Sequence, residues 1–332
     1  MTRSQQTLQT HLAGKNFLVI GRAGMDFYPD PPGTKTEEAV NFFTSLGGSS
    51  ANIGVSLCKL GAQASLVTCV SDDAIGRYCL NQLDHYGVDR THVHVVGGEY
   101  RNSLAVVESC IEDHQSVIYR NGAADFQMTV DDVESIDYAP YSALITTGTV
   151  FAAEPSRSAS FRAFELAKAA GIPLIFDVDY RPYSWVSAQD AAQVYSEAAS
   201  MCDIIVGNDV EFGFMAGDYE RGLDKARDLA QSSATIVVYK MGELGSVTLT
   251  PDAEVRTGIF PVTALKPTGA GDSFMGGFVS SIADGQDLEA CIMRGAACAS
   301  MVVANVGCAS AMPTIAELEQ FISSHTATTF PD

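Results

Sequence analysis

Basic residues are scarce in this chain: 20 Lys and Arg stand against 40 Asp and Glu, leaving a formal charge of −20. They gather in no cluster, so the overall field opposes nucleic acid and anionic membrane surfaces, and neither is expected as a partner. An anionic substrate must then be held by local Arg, Lys or backbone N–H groups. Long apolar runs are missing too. No stretch reaches the roughly 18 residues of a membrane span, and the opening MTRSQQTLQTHLAG lacks the apolar segment of a secretory signal, so a cytoplasmic location is expected. The cysteines at 58, 69, 79, 110, 202, 291, 298 and 308 form no C-x-x-C pair and have mostly apolar neighbours. That argues against zinc and against a disulfide framework, and for buried reduced thiols. Internal repeats and low-complexity tracts are absent.

What is present is a chain of 332 residues, 46% hydrophobic, long enough for one large α/β domain or two ordinary ones. Short β-rich runs recur at 17–21, 64–70, 143–148, 173–179, 203–207 and 235–240. Helical patterns such as SANIGVSLCKLG, PSRSASFRAFELAKAAG and SAQDAAQVYSEAAS lie between them, with Gly or Asp near their ends. The alternation predicts a mostly parallel sheet with helices on both faces. Two regions, 23–46 and 100–121, break the rhythm and read as antiparallel strands added to the main sheet as a cover over its edge or mouth. Residues 269–304 read as two consecutive helices around the turn ADGQD.

The stretch KPTGAGDSFMGGF, 266–278, carries the chemistry. If a helix begins here, the backbone of Gly269, Ala270 and Gly271 offers unpaired N–H groups and the positive end of a helix dipole to a phosphate. Asp272 in the same turn is then either an N-terminal cap or a general base facing an incoming hydroxyl. The local residues leave both open.

Together with S-L-G-G-S-S-A-N-I-G at 45–54 and N-D-V-E at 208–211, this motif resembles the ribokinase-like (PfkB-type) carbohydrate kinases over about residues 17–320. The resemblance implies a single α/β/α sandwich with a small β-sheet lid, formed by segments of about 23–46 and 100–121. It implies transfer of the ATP γ-phosphoryl group to a sugar hydroxyl. Asp272 takes the position of the catalytic base, residues 269–271 that of the anion hole. Gly47, Gly48 and Asn52 match a glycine pair and a substrate-binding asparagine, and Asp26 matches an acid that binds sugar hydroxyls. Asn208 and Glu211 match an N-x-x-E that positions Mg²⁺ largely through water; alone, such a pair also reads as a helix-start cap. KMGELGS, 240–246, resembles the nucleotide-binding turn, with Gly242 and Gly245 permitting close approach. Lys240 either reaches phosphate or is a solvated strand end.

FDVDYRPYSW, 176–185, resembles the D-x-N-x-R-P segment of family members acting on sugar acids, with Asp179 in place of the usual Asn. Arg181 is therefore expected to read a carboxylate through a planar two-point contact, with Arg101 and Arg120 on the lid strands as further candidates. The acceptor expected is a sugar acid, with a neutral sugar or a nucleoside as the alternative. Apolar faces on the lid strands suggest a homodimer. A nicotinamide-dependent dehydrogenase is disfavoured, because the first turn reads G-R-A-G-M-D rather than G-x-G-x-x-G. A non-catalytic sugar-binding regulator would be expected to lose Asp272 or its anion hole, and both are present. One departure stands out. Many relatives bind a monovalent cation beside the anion hole, using an Asp two residues before the Thr of this motif; here that position is Lys266. Either Lys266 supplies the positive charge itself, or it points into solvent and the carbonyl site survives.

Overall fold

The computed structural model describes residues 3–110 and 112–331. Among these, the strands are β1 (Asn16–Ile20), β2 (Gly24–Asp30), β3 (Asn41–Gly47), β4 (Gln63–Ser71), β5 (Val93–Val96), β6 (Leu104–Val107), β7 (Ser116–Tyr119), β8 (Ala143–Thr147), β9 (Leu174–Asp177), β10 (Ile204–Asn208), β11 (Ile236–Lys240), β12 (Ser246–Leu249) and β13 (Glu254–Thr257). The helices are α1 (Arg3–Leu12), α2 (Ser49–Lys59), α3 (Ala74–Tyr86), α4 (Val130–Glu134), α5 (Ser156–Ala169), α6 (Ala188–Ser200), α7 (Asp209–Ala216), α8 (Gly222–Ser232), α9 (Ala270–Ala283), α10 (Leu288–Val303) and α11 (Ile315–Ser324).

The large sheet runs β13-β12-β11-β10-β9-β8-β1-β4-β5, parallel from β5 to β11, with β12 and β13 added antiparallel at one edge. Helices cover both faces, so the inner strands are buried on both sides and read as continuous apolar runs. The two-residue period still shows in which core each side chain enters. Phe17 and Val19 of β1 join Leu66, Ile145 and Val206 in a core closed by α2, α9 and α10. Leu18 and Ile20 join Val67, Leu144 and Ile205 in a second core closed by α5, α6 and α8.

The irregular regions form a separate sheet rather than extra strands of the large one, in the order β3-β2-β6-β7. Its pairs β2–β3 and β6–β7 are antiparallel as expected, but the seam β2–β6 is parallel. The physical reason is the connection: β2 and β6 are separated by a long excursion through β4, α3 and β5 of the main body, and parallel pairing needs such a crossover. The cysteines are all unpaired, but Cys58 and Cys110 are only partly covered, so the expectation of buried thiols holds for the other six.

Candidate active site

The carboxyl ends of parallel strands, where ligands bind in open α/β sheets, bring together Asp177, Asn208 and Lys240, the last residues of β9, β10 and β11. Helix α9 begins beside them. Its N-cap is Gly269, in the left-handed region at φ 87°, and no side chain caps it. The first turn therefore keeps its N–H groups available for an anion, apart from a long 3.4 Å bond from Ala270 to the Pro267 carbonyl. Asp272 does not cap its helix. Its Oδ2 instead accepts a 2.8 Å hydrogen bond from Asn52 Nδ2 on α2, 220 residues away in sequence.

That pairing follows from how α2 meets α9. Ser56 and Gly276 lie one helical turn beyond Asn52 and Asp272, on the same faces. A Cβ on Gly276 would fall on the Ser56 side chain, so the bare glycine lets the helices close and sets Asn52 against Asp272. Gly47 and Gly48 are similarly demanded. A Cβ on Gly47 would occupy the Asp26 carboxylate, and Gly48, at φ 95°, lies against the Arg22 carbonyl. Asp26 is buried on β2, where burial raises its pKa against the opposing charges of Arg22 and Lys266 and a hydrogen bond from Tyr28. Asp26 Oδ1 and Asn52 Oδ1 are both buried with no hydrogen-bond partner.

Burial, reinforced by the charge of Asp179, raises the Asp272 carboxyl to about 7, against the Asn52 hydrogen bond and the charges of Arg181 and Lys240. A base with that pKa is half ionised at neutral pH. If proton abstraction by Asp272 limits turnover, kcat should rise about tenfold from pH 6 to pH 8 and then level off. A flat profile of the chemical step across this range, measured by single-turnover quench, would remove Asp272 from the proton path.

Asp179 sits at φ 38°, a strained setting for a residue with a side chain. Ser49 Oγ donates to it at 2.6 Å and Arg181 pairs with it at 2.7 Å. Burial works against its charge, but Arg181, the Ser49 hydroxyl, Arg22 and Arg120 hold its carboxyl below the usual value. Arg181 is 43% exposed and spends one further N–H on the Tyr180 carbonyl, so part of its fork remains open. Arg120 and Arg101 are both engaged with other groups of the protein, although the buried Arg120 Nε keeps no partner. Arg120 is buried in an ion pair with Asp125, donates to the Thr149 carbonyl and stacks on Phe126, because an arginine without those partners could not be buried there. Arg101, 64% exposed, bonds to the Gly98 and Tyr100 carbonyls beside Asp73.

Lys240 is no solvated strand end. Its Nζ lies 3.4 Å from where a Cβ on Gly271 would stand and 5.5 Å from the centre of the Phe274 ring, so the ammonium sits at the first turn of α9. Its charge opposes the burial that raises the Asp177 and Glu211 carboxyls. Asn208 and Glu211 form a reciprocal capping box on α7. Glu211 Oε2 accepts from Asn208 N at 2.7 Å and Oε1 from Tyr180 N at 3.2 Å. With each oxygen accepting one backbone N–H, this pair suits Mg²⁺ held through intervening water. Among the described residues no group of three or more His, Cys, Asp or Glu is arranged to hold a metal directly. Gly245 is required by packing, since its Cβ would collide with the Thr257 carbonyl, whereas Gly242 faces open space.

Two residues escape the sequence reading. Asp177 is buried among Asp179, Glu211 and Asp272, with burial as the main cause of its raised pKa. In the sequence it is the leading Asp of the D-x-N-x-R-P segment, at the end of an apolar strand, with no role assigned to it there. Arg22 donates to Ser103 Oγ at 2.9 Å, and its charge reaches Asp26, Asp179 and Tyr183. In the sequence, the G-R-A-G-M-D turn that holds it assigns a role to Asp26 but none to Arg22.

A family model described as pfkB family carbohydrate kinase matches residues 15–315. The chain is 35% identical over 315 residues to a 5-dehydro-2-deoxygluconokinase of Geobacillus kaustophilus, covering 93% of this chain and 94% of that protein. It is 36% identical over 313 residues to a protein of the same name from Photobacterium profundum, covering 92% and 94%. The crystal structure of a PfkB protein from Polaromonas sp. JS666 superimposes with a TM-score of 0.78 at 26% identity, covering 89% of this chain and 98% of that one. The chain belongs to the PfkB family of carbohydrate kinases, has the ribokinase-like α/β fold, and is an ATP-dependent carbohydrate kinase.

Proposed function

We propose that this kinase phosphorylates a sugar acid, 5-dehydro-2-deoxy-D-gluconate, on its terminal hydroxyl to give the 6-phosphate and ADP. The observation that carries the chemistry is the Asp272 carboxyl, held by Asn52 at the start of an uncapped helix. Asp272 takes the proton of the acceptor hydroxyl, the freed oxygen forms its bond to the γ-phosphorus, and the bond to the ADP oxygen breaks. The first-turn N–H groups of α9 and the Lys240 ammonium steady the charge on the transferring group. Asn208 and Glu211 would hold Mg²⁺ through its waters, and the ion would supply neutralisation of phosphate charge. The unpartnered Asp26 Oδ1 and Asn52 Oδ1 are acceptors suited to sugar hydroxyls, and the open N–H groups of Arg181, with Arg22, are suited to the acid.

The acid reading is supported by the names of the relatives and by these two guanidinium groups. A coupled ADP-release assay across 5-dehydro-2-deoxygluconate, 2-dehydro-3-deoxygluconate, ribose, fructose and adenosine tests it. The first acid is expected to give the highest kcat/KM, and a preference for ribose, fructose or adenosine would overturn it. Inositol catabolism and a cytoplasmic location go with this reading. Among the described residues, no helix is long and apolar enough to cross a membrane.

The small sheet serves as the lid over the acceptor and as a homodimer contact in this reading. Phe42 and Phe43 on β3 and Val117 and Tyr119 on β7 leave apolar surface exposed on its two edge strands. Sedimentation velocity should show a dimer that Phe42→Asp with Val117→Asp converts to monomer. A monomeric unaltered protein at micromolar concentration would reject the contact.

A further inference from the structure

Lys266 is completely buried, at 0% exposure, in the segment leading into α9. A buried ammonium is costly unless its protons and its charge are answered. No carboxylate of the described residues lies within ion-pair distance of it. Its Nζ donates instead to two main-chain oxygens, Thr268 O at 2.6 Å and Val302 O at 3.4 Å. Val302 belongs to the last turn of α10, the negative end of that helix, and Thr268 immediately precedes the left-handed Gly269 that starts α9. The segment is held there because Leu265 N and Lys266 N both donate to Val303 O, at 2.7 and 3.3 Å. Cys308 completes the enclosure, its Sγ 2.8 Å from where a Cβ on Gly269 would be. Burial lowers the lysine's pKa, while Cys308, Asp26 and Asp272 raise it.

Carbonyl oxygens from two chain segments are the donors a desolvated monovalent cation takes, and here a side-chain ammonium already uses them. The residues present therefore do not fit a mobile potassium ion at this place. We propose that Lys266 is a tethered cation that braces the 268–271 turn from behind and adds its charge to the phosphate-holding end of α9, making turnover independent of monovalent salt. This rests on the reading of that turn as the anion hole. Lys266 acts as a positioning residue, because it reaches the transferring group only through the turn.

The test compares the unaltered enzyme in tetramethylammonium buffer with Mg²⁺ and ATP, with and without KCl at matched ionic strength. The kcat is expected to be the same within about twofold, and strong activation by K⁺ would overturn the proposal. Lys266→Met, which keeps the stem and removes the charge, should lose on the order of 10- to 100-fold in kcat and gain nothing from K⁺. Lys266→Ala opens the space between the carbonyls and should recover with K⁺ or NH₄⁺ but not with Li⁺. A folded Lys266→Met with unaltered kcat, or a loss in Lys266→Ala that no monovalent cation restores, would reduce Lys266 to packing and overturn the proposal. If these variants do not fold, the salt response of the unaltered enzyme still decides. Failure of the anion-hole reading itself looks different: Ala270→Pro, which removes a first-turn N–H at a helix position that tolerates proline, would then keep its turnover.

Discussion

Asp272→Asn is expected to lower kcat by at least about 100-fold while leaving ATP affinity within a few-fold, because the general base is lost and the anion-holding backbone is not. The substitution preserves shape, and the new amide oxygen can still accept the Asn52 hydrogen bond. Stability should move the opposite way. The folded-state pKa of about 7 lies above the ordinary 3.8, so between those values the folded protein holds a proton that the unfolded chain has lost. Stability contributed by this group is therefore full below about pH 4 and falls as pH rises to about 7. Asp272→Asn should thus raise Tm more at pH 8 than at pH 5. A variant with near-normal kcat ends the base assignment. A variant with lost activity and lower Tm at pH 8 would show a structural carboxylate instead.

Arg181→Ala is expected to raise KM for the sugar acid by about 10- to 150-fold, the equivalent of the 1.5–3 kcal/mol typical of a charge-assisted contact, with KM for ATP within about threefold. The geometry adds a second consequence. Arg181 opposes the burial-driven rise of the Asp272 pKa and pairs with Asp179. Its removal should push the acid limb of the kcat profile above pH 7. Arg181→Lys, which keeps the charge and loses the fork, should restore the pH profile while leaving much of the KM defect. Equal increases in both KM values would assign Arg181 to holding the strained Asp179 turn. Unlike the Asp272 effect, this one should nearly vanish with a neutral acceptor.

The alternation of strands and helices was legible in the sequence because it depends on near neighbours. The runs at 17–21, 64–70, 143–148, 173–179, 203–207 and 235–240 all became strands of the large sheet, and 269–304 became α9 and α10. The small sheet was legible as strands, yet its separation from the large sheet and its parallel seam were not. Which strand pairs with which depends on crossovers, and two-residue alternation carries no such information. The cysteines were read correctly as unpaired, because spacing and neighbours suffice for that, but Cys58 and Cys110 escape full burial.

By itself the sequence determined the class of chemistry only through its resemblance to a kinase family, carried by a Gly-Ala-Gly turn followed by Asp272 at a helix start and by a Gly47-Gly48 pair before α2, arrangements that are local in the chain. Tertiary structure decided how those parts act on each other. It placed Asn52 on Asp272 across 220 residues, and it buried that carboxyl beside Asp179, which raises it to about 7 against the Asn52 hydrogen bond. It committed Arg120 to Asp125 and left part of Arg181 open. It also buried Lys266 between the end of α10 and the start of α9, where the sequence allowed solvent equally well. Charge, pKa and the availability of a side chain depend on what surrounds it, and those surroundings are assembled by packing between segments far apart in the chain.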